Sequence, residues 1–158
     1  MIQIVSLRMV REKSVPYGDA KISQAEDVVR LWHSLHTKGQ PDREEVWLVC
    51  LDNQMKPTAL HMVARGILTG ALLTPREVFK TAISANASCV ILIHNHPSGD
   101  PGPSPDDEAI TDRLRRAGEI LGIKLRDHII IGNGCFHSMA ETSQWQGGES
   151  HEEPESAA

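Results

Sequence analysis

The sequence predicts a single α/β or α+β domain, one sheet with helices interleaved among its strands. Two observations carry that expectation. Short, wholly apolar runs of strand length, Val46–Leu51 (VWLVCL) and Cys89–Ile93 (CVILI), are bounded by turn residues. Before, between and after them lie segments whose apolar residues recur at helical spacing, such as Val28, Val29, Trp32 and Leu35, and later Ile110, Leu114, Ala117 and Leu121. A chain of 158 residues suits one domain, and 40 % apolar content is enough for an ordinary core. Aromatic residues are only 4 %, so aliphatic side chains must fill it.

Taken in order, residues 2–10 (IQIVSLRMV) are apolar and β-branched enough for a strand. Val15 to Lys21, with Pro16 and Gly18, is a loop. Ser23 and Glu26 have capping-box spacing, so a helix is expected from about 24 to 37, broken by Gly39 and Pro41. Val46–Leu51 is a central strand, with Asp52 and Asn53 opening a turn, and Thr58–Ala64 is a second strand closed by Arg65-Gly66. Thr74 as N-cap and Pro75 at the first helical position start a helix whose apolar face is Val78, Phe79, Ala82 and Ile83. Cys89–Ile93 is a third strand, buried on both sides. The stretch His94–Pro105 is the densest in Gly and Pro, and the helix that follows ends at Gly122. Ile123–Leu125 and His128–Ile131 are further strand, Gly132–Gly134 a turn, and Phe136–Met139 a last short strand. From about Trp145 the chain is polar and acidic, and disorder is expected. The organisation is therefore an N-terminal strand and helix over 1–41, a main domain over 42–144 and an acidic tail over 145–158.

The bulk properties exclude some classes of function. There are 16 Lys+Arg against 21 Asp+Glu, a formal charge of -5, part of which lies in the tail at Glu149, Glu152, Glu153 and Glu155. No strong basic face for phosphates is evident; Arg113, Arg115 and Arg116 form a small cluster that suits a solvated helix face. The three cysteines, Cys50, Cys89 and Cys135, follow no CxxC spacing; Cys50 and Cys89 read as buried thiols in strands. No segment reaches the roughly 20 apolar residues of a membrane span, and no signal peptide is evident, so a cytoplasmic protein is expected.

The informative run is Ile91–Asp107, ILIHNHPSGDPGPSPDD. His94 and His96 lie two apart at the end of a buried strand, on one face. Asp107 follows near a helix start, beyond a loop stiffened by prolines and bent at glycines. Two His and a carboxylate leave a fourth position for water, the pattern of a catalytic zinc. The alternative for Asp107 is structural: Ser104 and Asp107 have capping spacing, and an acid there suits the helix dipole.

His94-x-His96 with Ser104-x-x-Asp107 resembles the JAMM signature of the JAB/MPN metallopeptidases, and the form HNHPSGDPGPSPDD resembles their RadC branch. Pro75-Arg76-Glu77-Val78-Phe79, Asn86-Ala87 and Asp127–Gly132 (DHIIIG) resemble the same branch, so the likeness covers roughly residues 42–140. It implies a JAB/MPN-like, cytidine-deaminase-like curved mixed sheet flanked by helices. It also implies zinc (Zn2+) held by His94, His96 and Asp107, with Ser104 hydrogen-bonding an oxyanion. The resemblance further implies a glutamate upstream that acts as general base and then acid. The family pattern places that acid eight residues before the aspartate ending the strand; counting back from Asp52 gives Glu44, preferred over Glu45. Strand alternation lets only one of the two reach the metal, leaving the other a solvated charge. His128 suits a structural or ligand-supporting role, His61 a packed or exposed one, His33 and His36 the surface of the first helix, and Ser98 a turn.

The implied activity is a zinc-dependent metallopeptidase or isopeptidase that uses an activated water on an amide bond, its substrate unnamed by the sequence. The alternatives are a DNA repair or recombination accessory protein with a structural or vestigial metal site, and an inactive scaffold. The longer RadC-like proteins carry a helical N-terminal region with a DNA-binding-type motif; the roughly forty residues before the core here show no such module. DNA association therefore has little support from charge, and the apolar N-terminal segment could pair across a homodimer.

Overall fold

A computed structural model describes residues 1–18, 20–66, 73–142 and 145. The expected disorder of the tail beyond Trp145 lies outside the described residues.

Among the described residues the sheet has five strands: β1 (Glu45–Leu51), β2 (Pro57–Arg65), β3 (Cys89–Asn95), β4 (Lys124–Ile131) and β5 (Phe136–Ser138), in the order β2-β1-β3-β4-β5. β1 pairs antiparallel with both β2 and β3, β3 parallel with β4, and β4 antiparallel with β5. The one parallel pair is joined by a helical crossover, as parallel strands require. Among the described residues three helices complete the fold: α1 (Ala25–Leu35), α2 (Pro75–Ser84) and α3 (Pro105–Leu121). None is long and apolar enough to cross a membrane.

Strand alternation divides the core in two. Val46, Leu48 and Cys50 of β1 and Val90 and Leu92 of β3 face α2 and α3, meeting Val78, Phe79, Ile110 and Leu114. Val49, Leu51, Ile91, Ile93, Ile129 and Ile131 face the other way, onto Val28, Leu31 and Trp32 of α1. The mixed sheet flanked by helices on both faces is the architecture the sequence predicts.

Several expectations are corrected. The strand expected over 2–10 does not form: residues 1–12 have no regular secondary structure and are exposed throughout. The segment has β-propensity, but a strand exists only through a partner ladder. α1 starts at Ala25, and the acid that closes its first turn is Asp27, not Glu26. Asp27 Oδ2 accepts from Ser23 N (2.7 Å), Ser23 Oγ (2.9 Å) and Gln24 N (3.1 Å). Ile83 and Leu121, expected on apolar faces, are exposed at 54 % and 46 %. The two expected strand pieces over 123–131 are one strand, β4, running through Asp127. Buried Asp127 is tolerated there because it accepts from Ser138 Oγ (2.6 Å), His128 N (2.7 Å) and Ala140 N (2.9 Å), tying the last strand and the following turn to β4. Met139 belongs to that short 3-10 turn (Met139–Glu141) rather than to β5. Cys50 and Cys89 are buried as expected, and burial pushes the Cys50 thiol up to about 12.

Candidate metal centre

The same alternation that builds the core places the site. Glu44 precedes β1 with the parity of Val46, and Val46 pairs with His94 across the β1–β3 ladder. His94 continues the face of Val90 and Leu92 and is fully buried. His96 lies just past the end of β3, its backbone N donating to Ile131 O at 2.9 Å. Asp107 sits in the first turn of α3, where Ser104 is the N-cap and Pro105 opens the helix. Ser104 Oγ accepts from Asp107 N (3.2 Å) and donates to Asp107 Oδ2 (2.7 Å), and Ser104 N donates to that same oxygen (2.7 Å). Capping and site placement are therefore one arrangement: the cap holds the Asp107 carboxylate over the strand end.

One ligand atom each from Glu44, His94, His96 and Asp107 lie within 4.8 Å of one another. His94 Nε2 is 2.9 Å from His96 Nε2, 3.2 Å from Asp107 Oδ1 and 3.7 Å from Glu44 Oε1; His96 Nε2 is 3.4 Å from Asp107 Oδ2. Glu44 is the more open of the two acids, its side chain 20 % exposed against 6 % for Asp107. Burial alone would raise the Asp107 pKa, but the hydrogen bond and charge of His94 and the two hydrogen bonds from Ser104 outweigh it, and the carboxyl is held well below the ordinary range. His128 stands behind His94, with Nε2 2.7 Å from His94 Nδ1. Burial, together with the neighbouring His94, pushes the His128 pKa well below that of ordinary imidazole.

Glu44 and Glu45 separate as alternation requires, yet Glu45 is not a solvated charge. It is 6 % exposed and faces α1, where its carboxylate meets His36 Nε2 (2.9 Å), Trp47 Nε1 (3.0 Å) and Arg65 Nε (3.3 Å). His36 is thus half-buried rather than on the surface, whereas His33 and His61 are exposed. Ser98 is a turn residue, accepting from Asp100 N at 3.4 Å. Asn95 and Thr111 were given no role by sequence. Asn95 Oδ1 accepts from Glu45 N (2.8 Å) and its amide donates to Arg43 O (3.1 Å), so it holds the backbone on both sides of Glu44. Its place between the two His was the only hint. For Thr111, the signal was its position four residues after Asp107, where a hydroxyl can return to the helix carbonyl.

Fold and site together define a mixed α/β domain with a His/carboxylate cluster at a strand end and a helix start. The RadC-like JAB domain family model matches residues 22–145, and the chain belongs to that family. It is 50 % identical over 98 residues to the UPF0758 protein of Desulforudis audaxviator, covering 62 % of this chain and 43 % of that one. It is 47 % identical over 103 residues to the UPF0758 protein of Thermotoga maritima (65 % and 46 %), and 48 % identical over 108 residues to that of Trichlorobacter lovleyi (68 % and 47 %). The chain spans about half the length of these relatives.

Proposed function

We propose that the protein is a zinc-dependent hydrolase that cleaves an amide bond in a peptide or isopeptide substrate. The observation that carries this is the convergence of ligand atoms. His96 Nδ1 is engaged by Asp100 O at 2.8 Å, and a carbonyl only accepts, so the ring carries a proton on its outer nitrogen and, when neutral, turns an Nε2 lone pair inward. That nitrogen, His94 Nε2 and one oxygen of each of the two carboxylates then lie within 4.8 Å of one another, an arrangement that suits a cation. Two imidazole nitrogens and a carboxylate suit zinc and leave a position open for water. We assign His94, His96 and Asp107 as ligands.

Zinc bound there would lower the pKa of a water towards about 7 and polarise a carbonyl. The remaining work falls to side chains. Glu44, on the open side, accepts the proton of the attacking water as its oxygen bonds to the carbonyl carbon. The same carboxyl then gives the proton to the amide nitrogen as the C–N bond breaks. Ser104 would donate to the oxyanion; its single hydroxyl proton rests on Asp107 Oδ2, so it must turn from that bond to do so.

The test is metal content by mass spectrometry. About one zinc per chain is expected in the wild type and none in His96→Ala. No zinc in the wild type, even after reconstitution, would return Ser104 and Asp107 to capping alone.

A further inference from the structure

Behind the candidate centre runs a line of three hydrogen bonds that the proposed reaction does not use. His94 Nδ1 lies 2.7 Å from His128 Nε2, His128 Nδ1 lies 2.6 Å from Thr111 Oγ1, and Thr111 Oγ1 lies 2.6 Å from the backbone oxygen of Asp107. His94, His128 and Thr111 are exposed at 0 %, 1 % and 3 %, so bulk water does not supply an alternative partner to any of them.

The far end fixes the direction of the whole line. A carbonyl oxygen only accepts, so the Thr111 hydroxyl donates to Asp107 O; Met139 Sδ, at 3.5 Å, is a longer and weaker acceptor for the same proton. Having spent its proton, Thr111 Oγ1 accepts from His128 Nδ1–H. A neutral imidazole has one ring proton, so His128 Nε2 is a lone pair and accepts from His94 Nδ1–H. A proton of His94 is thereby held on Nδ1, so that in the neutral ring, the form a metal requires, the Nε2 lone pair points at His96, Asp107 and Glu44.

We propose that His128 and Thr111 are positioning residues that fix the tautomer and ring orientation of His94 for metal binding. The inference rests on the metal-centre reading above and adds to it a device built from this chain's own residues. The line begins on one proposed ligand, His94, and ends on the backbone of another, Asp107. It crosses from β3 through β4 to α3, so the two ligands are held in register through β4 as well as by direct approach. Partners of this kind contribute about 10- to 100-fold to metal affinity.

The experiment measures zinc affinity of the full chain by competition with a chromophoric chelator, alongside the unfolding temperature of each metal-free protein. His128→Leu, which offers no acceptor, should weaken zinc binding about 10- to 100-fold. His128→Gln, whose amide oxygen can accept in place of Nε2, should recover most of that loss. Thr111→Val should also weaken binding, and Thr111→Ser should restore it. A role confined to stability would lower the unfolding temperature of the Leu and Val variants and leave zinc affinity alone, which would overturn the proposal. The threonine pair keeps the test in force if His128→Leu does not fold. Nitrogen-15 NMR of the metal-free wild type gives a check that needs no zinc: His94 should carry a proton on Nδ1. An Nε2–H tautomer would refute the relay, whereas a correct tautomer without zinc binding would count against the metal reading alone.

Discussion

Glu44 and Glu45 are the same residue type one bond apart, and alternation gives them opposite work. Glu44 faces His94; Glu45 faces α1 and is held by His36, Trp47 and Arg65. Glu44→Gln should keep the fold and the metal and lower turnover of a cleaved amide by at least ~100-fold, read as kcat against zinc content. Glu45→Ala should leave the cluster chemistry in place and destabilise by about 1–3 kcal/mol in urea unfolding, because His36 and Trp47 lose a buried acceptor. The pH dependence has a definite sign. Burial would raise the Glu45 pKa, but hydrogen bonds from Trp47 and His36 and the charges of His36 and Arg65 bring it below its ordinary 4.5. Its contribution is therefore fully present above about pH 4.5 and is lost as pH falls through the lower folded value. Glu45→Gln should flatten the stability profile below that pH. Little of this was legible in sequence. That only one glutamate can face the site follows from parity, and the family spacing from Asp52 selects Glu44, but the His36 partner, nine residues away on another element, has no local signature. Likewise Ser23 and Glu26 have the textual spacing of a cap, while Asp27 accepts the bonds because the helix starts later.

At the scale of elements, two glycines mark where packing overrides propensity. Gly118 lies in α3, where Ala would ordinarily be better by about 1 kcal/mol. A Cβ there would sit 2.5 Å from Ile123 O and 3.2 Å from Phe79 Cζ, so Gly118→Ala should instead destabilise by about 1–3 kcal/mol in denaturant unfolding. Gly132 opens the turn after β4. A Cβ on it would collide with Gly99 O and lie 2.9 Å from Pro101 Cδ. That loop includes Asp100, whose carbonyl holds His96. Gly132→Ala should therefore weaken zinc binding roughly 10-fold, more than its effect on unfolding temperature would suggest. The elements themselves were legible where one chemistry dominates a window, as in VWLVCL and CVILI. They were misjudged where a polar residue interrupts a strand for a tertiary reason, as Asp127 does in β4, and where an apolar run lacks a partner, as in residues 2–10.

For the whole molecule, the candidate centre draws on three stretches of chain: the start of β1, the end of β3 with its loop, and the first turn of α3. The motif carrying two of those stretches is contiguous, which is why most of the site could be read from sequence. The third, Glu44, lies fifty residues before His94 and depends on the β1–β3 register. Under the proposed zinc reading, such an arrangement would link metal binding to global stability, since the unfolded chain does not hold these groups together. At a free zinc concentration of 100 times the dissociation constant, the native state gains about 2.7 kcal/mol. For a chain of this size that corresponds to a rise in unfolding temperature of roughly 5–10 °C, reversed by a chelator. His96→Ala and Asp107→Asn should abolish the rise. Removing residues 1–12, which are exposed throughout, should preserve both the rise and the metal-free unfolding temperature. An equal rise in His96→Ala would place the stabilising zinc elsewhere, on exposed histidines such as His33 or His61. A rise lost with residues 1–12 would mean that this apolar segment supports the site in solution.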